Sequence, residues 1–230
     1  MTSPYGELVS RHGLSSAHAL VLAAVPDGAR VLDVGCATGY LAERLIARGC
    51  EVVGVEADPA AADLARGRGI EVVVGDVLEH LRDPRATLVD ARSLLSSGGR
   101  VVASLPNVAV WHARRELACG RFPHEDHGIF DRTHLRFFTR ATAHELVRSA
   151  GYAVEREAFA PAYLPGEPLV RRLLGGREER PLPVVARLRA RAAARRPELF
   201  ALQIVLTLRP REPGREPAPP ARSTGARPPR

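Results

Sequence analysis

The stretch VLDVGCATGY, residues 31–40, joins a short apolar run to two glycines four positions apart. Val31, Leu32 and Val34 read as a buried strand ending at Asp33-Val34-Gly35, Gly35 to Gly39 as the turn after it, and a helix is expected to start near Tyr40. Glycine lets a backbone come close to a ligand, and in open α/β sheets nucleotide-like cofactors bind in the crevice at the carboxyl ends of strands. The dinucleotide fingerprint requires G-x-G-x-x-G, and Ala37 stands where its second glycine should be, so a nicotinamide site fits poorly. Seventeen residues after Gly39, the run CEVVGVEAD carries Glu56, placed to accept two hydrogen bonds from a ribose diol. An ordinary tight turn and a surface carboxylate are the plainer reading of the same residues.

Outward from this motif, residues 30–160 alternate short apolar runs with longer amphipathic ones: ARVLDVG, YLAERLIARG, CEVVGVEAD, PAAADLARGRG, IEVVVGD, DPRATLVDARSLLSSGG and RVVASLPN. That alternation is the pattern of βαβ units, hence an α/β fold with a mostly parallel sheet covered by helices. Gly49, Gly69, Gly98 and Gly99 follow the helical stretches, where C-terminal caps favour glycine. Later come a helical RATAHELVRSAGY, a strand-like AVEREAF and a final strand LFALQIVLTL. One domain is expected over residues 1–209, with a Pro/Arg-rich insertion at 161–197, followed by a disordered basic tail at 210–230.

The composition bounds the function. No apolar run approaches the ~18 residues that span a bilayer, and the first residues lack a charged segment followed by an apolar one, so a cytoplasmic protein is expected. Cys36, Cys50 and Cys119 are odd in number and widely spaced, which suggests small buried hydrophobes rather than disulfides or a zinc knuckle. The net charge of +7 divides unevenly: residues 1–160 hold 18 Arg against 20 acids, residues 161–230 hold 15 Arg against 6. All 33 basic residues are arginine, which fits a compositional bias better than selected phosphate contacts and disfavours a dedicated nucleic-acid surface. The arginine-rich ARLRARAAARR, residues 186–196, is most simply a solvated amphipathic helix; contact with an anionic membrane or nucleic acid is the sharper alternative.

A second cluster lies in GDVLEHLRDP, residues 75–84. Asp76, Glu79 and His80 stand at i, i+3 and i+4, a spacing that shares one face of a helical turn. Farther on, GRFPHEDHGIFDRTHLRFF, residues 120–138, sets His124, Glu125, Asp126, His127, Asp131 and His134 among aromatic residues and reads as a substrate lid or rim. A zinc site there has only a weak H-x-x-H spacing in its favour. Trp111 and His112 belong to an expected helix that either covers the pocket or supplies core.

These residues resemble the class I S-adenosylmethionine-dependent methyltransferases: LDVGCATG looks like their glycine-rich first motif, VVGVEADP like their second, and the likeness runs through DVLEHLRDP, LLSSGGRVVASLPNV and GIFDRTHLRFFTR. The resemblance covers roughly residues 12–160 and implies a doubly wound, Rossmann-like sheet of seven strands with one antiparallel, supplied by LFALQIVLTL. It also implies S-adenosylmethionine as cofactor, with Asp33, Gly35, Cys36 and Gly39 around its methionine end, Glu56 on its ribose, and Leu105, Pro106 and Asn107 near the substrate. The sequence departs from the pattern where VVVGD and DVLEH are fused through Asp76, so about one helix and one strand, of order twenty residues, are missing. Residues 70–75 then serve as the fourth strand, beside the first, in a sheet of six, and Asp76 must serve either the cofactor pocket or the ligand cluster.

The D-x-x-E-H cluster with a later His is similar to the metal-binding arrangement of the small-RNA 3′-end 2′-O-methyltransferases, and some ubiquinone-pathway O-methyltransferases carry a similar E-x-x-E-H. That likeness implies a divalent cation, Mg²⁺ or similar, held by Asp76, Glu79, His80 and His134, which would bind and acidify an attacking hydroxyl. Without a cation, His80 or His134 is the candidate general base. The expected function is methyl transfer to a hydroxyl of a small-molecule acceptor: a sugar, a glycan precursor or another small metabolite. Two competitors stand beside it: a degenerate fold acting as partner or scaffold, and a metal-assisted RNA 2′-O-methyltransferase.

Overall fold

The computed structural model describes residues 15–55, 78–167 and 183–211. In chain order its elements are α1 (Ser16–Ala24), β1 (Arg30–Val34), α2 (Tyr40–Ile46), β2 (Glu51–Val55), a 3₁₀ turn (Leu78–His80), α3 (Pro84–Leu94), β3 (Val101–Pro106), α4 (Trp111–Ala118), α5 (Arg140–Ser149), β4 (Tyr152–Pro161), α6 (Pro183–Arg195), α7 (Pro197–Phe200) and β5 (Ala201–Pro210). The expected α/β class holds. β1 and β2 pair in parallel, with Leu32 opposite Val53 and Asp33 opposite Gly54. β5 runs antiparallel between β3 and β4, so LFALQIVLTL does supply the antiparallel strand.

Local chemistry places the ends. Asp83 caps α3 by accepting from the Ala86 N–H, and Pro84 fills the first turn, where no N–H partner is needed. Thr139 and Thr142 form a reciprocal capping pair at the start of α5. Gly49, Gly98 and Gly151 take positive φ just after helices, where a side chain would be strained. The main core forms where the inner faces of α3 and α5 meet the sheet, through Leu88, Leu105, Val147, Tyr152, Ile204, Leu206 and Leu208. A smaller core of Ala42, Leu45, Cys50 and Val52 holds α2 against the parallel pair.

Several boundaries differ from expectation. β4 extends beyond AVEREAF at both ends, to Tyr152 and Pro161, because its partner β5 is equally long, and a register shift between Val154 and Arg156 takes up the mismatch. β5 reaches Pro210, and Arg211 N–H still bonds Gly151, so order continues past residue 209 where the tail was expected to begin. The strand expected at residues 70–75 lies outside the described residues, as do Glu56, Asp76 and the rest of the tail.

Candidate active site

Two groups of residues stand where ligands would be met. The first is the turn after β1. Gly35, Ala37 and Gly39 have φ of 91°, 46° and 81°, so three of its five residues are left-handed. For Ala37 this is a strained geometry that the surrounding turn must enforce. Gly35 N–H bonds the Val55 carbonyl at 2.7 Å and Gly39 N–H bonds the Cys36 carbonyl at 2.8 Å, so the turn is locked to the end of β2 and to itself. Asp33 and Cys36 are buried beside it. His18 of α1 reaches this turn as well: its Nε2 lies 3.2 Å from the Tyr40 hydroxyl, and the two rings meet edge to face. Sequence reading missed His18 and Tyr40, since nothing in a lone His on an N-terminal helix signals a contact 22 residues away.

The second group is Glu79, His80 and His134, whose ligating atoms all lie within 4.8 Å of one another. Leu78–His80 forms a 3₁₀ turn rather than the α-helical turn that the i, i+3, i+4 spacing suggested. Glu79 is held from its backbone: its carbonyl accepts from Leu135 at 2.9 Å and Arg136 at 3.0 Å, which draws the loop bearing His134 onto the turn. Glu79 Oε1 and His134 Nε2 are 3.9 Å apart, both side chains nearly fully buried. The rings of His80 and His134 meet edge to face at 4.8 Å.

Hydrogen bonds decide the tautomers. A carbonyl can only accept, so His134 Nδ1, 3.3 Å from the Ile129 carbonyl, carries the proton. His80 Nδ1 lies 3.2 Å from the Thr133 carbonyl and 3.1 Å from its hydroxyl, and that hydroxyl already donates to Asp131 at 2.6 Å, so His80 Nδ1 also donates. In the neutral imidazoles the Nε2 atoms then carry the lone pairs. Asp131, buried, fixes the support by accepting from the Thr133 N–H at 2.8 Å as well. The D-x-T spacing of Asp131 and Thr133 is a local turn signal that could have revealed this role from sequence.

The other expected residues are not gathered. Among the described residues, Glu79, His80 and His134 form the one group with metal-ligating spacing. His124 meets Phe122 edge to face and Asp126 pairs with Arg132, so these two residues around the H-x-x-H spacing have separate partners. Asn107 is fully buried, and its amide donates to the Pro197 and Ala201 carbonyls at 3.2 and 2.9 Å, so it ties β3 to the start of β5 instead of facing a substrate. Leu105 is likewise core. Trp111 donates to the Tyr163 carbonyl at 2.6 Å and packs beside Val110, Ile129 and Phe130.

The model of the methyltransferase domain family matches residues 10–157, more than half of the chain. The chain belongs to the class I S-adenosylmethionine-dependent methyltransferase family. Solved methyltransferases share its fold: an S-adenosylmethionine-dependent methyltransferase of Archaeoglobus fulgidus (TM-score 0.53, 17% identity, 90% of this chain and 100% of that one) and one of Thermotoga maritima (0.55, 18%, 89% and 93%). A ubiquinone biosynthesis O-methyltransferase of Cereibacter sphaeroides is 33% identical over 105 residues, covering 35% of this chain and 42% of that protein. The corresponding match in Xylella fastidiosa is 31% over 106 residues, covering 35% and 43%. The match thus spans less than half of these relatives' length. Because 35% of 230 residues is about 80, the 105 aligned positions include about 25 that this methyltransferase lacks, the size of a helix, a strand and their connections.

The cofactor that the family implies suits the turn at 35–39, where Gly35 and Gly39 carry no side chain to keep a ligand from the backbone at the carboxyl end of β1. A divalent cation suits the second group by its donor set, one carboxylate and two imidazoles whose Nδ1–H atoms are held by carbonyls. No helix among the described residues is long and apolar enough to cross a membrane.

Proposed function

We propose that this methyltransferase transfers the methyl group of S-adenosylmethionine to a hydroxyl oxygen of a small-molecule acceptor, at the Glu79–His80–His134 group. The observation that carries the reading is the gathering of two imidazoles and a buried carboxylate, whose ligating atoms lie within 4.8 Å of one another and of which His134 Nε2 stands 3.9 Å from Glu79. The acceptor oxygen attacks the methyl carbon, the carbon–sulfur bond breaks with its electron pair passing to sulfur, and the hydroxyl proton leaves to His80 or His134 Nε2. Glu79 lies close enough to His134 to stabilise the imidazolium that forms. If a divalent cation is held by Glu79, His80 and His134, with Asp76 as the further ligand the sequence suggests, it supplies a lowered pKa for the bound hydroxyl. At the cofactor, Asp33, Gly35, Cys36 and Gly39 face the methionine end and Glu56 the ribose; Asp76 is the acid left to close the pocket if it is not a metal ligand.

Among acceptors, a sugar, a glycan precursor or another small ring-bearing metabolite is favoured. Phe122 and Phe137 are half exposed, meet edge to face, and Phe137 meets His134, so a ring could rest on them with a hydroxyl toward the histidines. The relatives named for ubiquinone biosynthesis support oxygen as the methylated atom. Two experiments test the reading. Chelation should abolish methyl transfer and divalent cation restore it; chelator-insensitive activity that His80→Ala or His134→Ala removes leaves the histidine base alone, and activity indifferent to both variants sinks the site. Glu56→Ala should weaken cofactor binding severely in a folded protein, and unchanged affinity removes Glu56 from the pocket.

A further inference from the structure

We propose that the outward face of α6 docks on an anionic lipid surface. The helix lies beyond residues 10–157, so the matched domain does not account for it. Its inner face is fixed by burial: Ala193 is covered, and Arg189 forms a buried ion pair with Glu167 while its guanidinium stacks 4.2 Å over the Tyr163 ring. Its outer face carries Val184, Arg187, Leu188, Arg191 and Arg195, all exposed, at i, i+3, i+4, i+7 and i+11. Residues 183–195 hold no acidic side chain to neutralise them.

The apolar members choose the partner. Val184 is 60% and Leu188 48% exposed, between arginines whose alkyl stems can lie along a lipid boundary while their guanidinium groups reach phosphate. A nucleic acid backbone would use the charges and leave these two side chains with nothing to cover them. The placement is also defined. β3 and β4 both run antiparallel to β5, so their carboxyl ends share one edge of the sheet. α6 leads through α7 to the start of β5 at that edge, where Asn107 bonds Pro197 and Ala201. The segment bearing His134 departs from the same edge after Asn107.

The test is cosedimentation of the full chain with vesicles of phosphatidylcholine alone and with about a third phosphatidylglycerol, at low and high salt. Binding is expected only to the anionic vesicles and should weaken as salt rises. At about 1 kcal/mol, or about fivefold, per arginine near such a surface, R187Q/R191Q/R195Q should lower partitioning about a hundredfold. V184S/L188S should weaken it further at high salt, where the apolar contact is all that remains; circular dichroism checks that both variants keep their helices. Failure to bind anionic vesicles, or wild-type binding by the triple variant, overturns the proposal. Binding that V184S/L188S leaves intact and a single-stranded oligonucleotide competes away overturns it in favour of nucleic acid. None of these readouts depends on methyl transfer.

Discussion

Asp131→Ala isolates what the support of the histidines contributes. The carboxylate accepts from the Thr133 N–H at 2.8 Å and hydroxyl at 2.6 Å, and Thr133 in turn accepts from His80 Nδ1. A hydrogen bond to a charged group is worth about 1.5–3 kcal/mol, but Thr133 is exposed and water can replace its partners, so the pair together should cost about 2–3 kcal/mol. For a chain of 230 residues that lowers the melting temperature by about 5–10 °C. The functional effect is separate. With Thr133 released, His80 can turn its ring and offer the wrong nitrogen, and affinity for a divalent cation should fall by about 10–100-fold. Asp131→Asn keeps Oδ1 as an acceptor for both bonds and should recover most of the affinity. The assay is cation titration followed by calorimetry, well below the melting temperature of each variant. Wild-type affinity in Asp131→Ala, or equal losses in Ala and Asn, would refute the reasoning.

Further expectations follow from individual contacts. Gly39→Ala forces a side chain onto φ of 81° and should cost about 1–2 kcal/mol in urea unfolding while weakening cofactor binding; an unaffected midpoint would show that the turn relaxes. Tyr152→Phe removes a 2.8 Å bond to the Leu88 carbonyl and should cost about 1 kcal/mol. Burial raises the Tyr152 phenol, so its contribution is present below the usual tyrosine range, about 10, and is lost as pH rises through the raised value; Tyr152→Phe should soften that alkaline loss. Burial pushes the Glu157 carboxyl up, but hydrogen bonds from Arg140 and His144 together hold it below the usual range. Its stabilisation is therefore present above about pH 4.3 and lost as pH falls through the lowered value, and Glu157→Gln should flatten that acid decline in thermal melts.

The glycine turn, the alternation of strands and helices and the final strand were legible because each rests on local signals: φ that only glycine takes easily, apolar periodicity, caps; the antiparallel direction of that strand was implied by the family resemblance. The pairing of Glu79 and His80 with His134 was legible as residue types but not as geometry. Its shape depends on Thr133, which reaches His80 in the 3₁₀ turn across 53 residues of chain, and on Asp131 and Ile129, which hold Thr133 and His134 in place. Asn107 misled for a related reason. The family resemblance places it near the substrate, and only the return of β5 beside it shows that backbone carbonyls take up its amide. The buried Arg189–Glu167 pair was hidden within a run of arginines that composition alone makes ordinary.

Titration calorimetry of the full chain with S-adenosylmethionine and S-adenosylhomocysteine, with and without magnesium, tests the central claim most directly. Micromolar binding is the predicted result and would show that the shortened chain still builds the cofactor pocket. No binding at millimolar ligand, from protein shown to be folded, would contradict the account and make a degenerate, non-catalytic methyltransferase fold the better description.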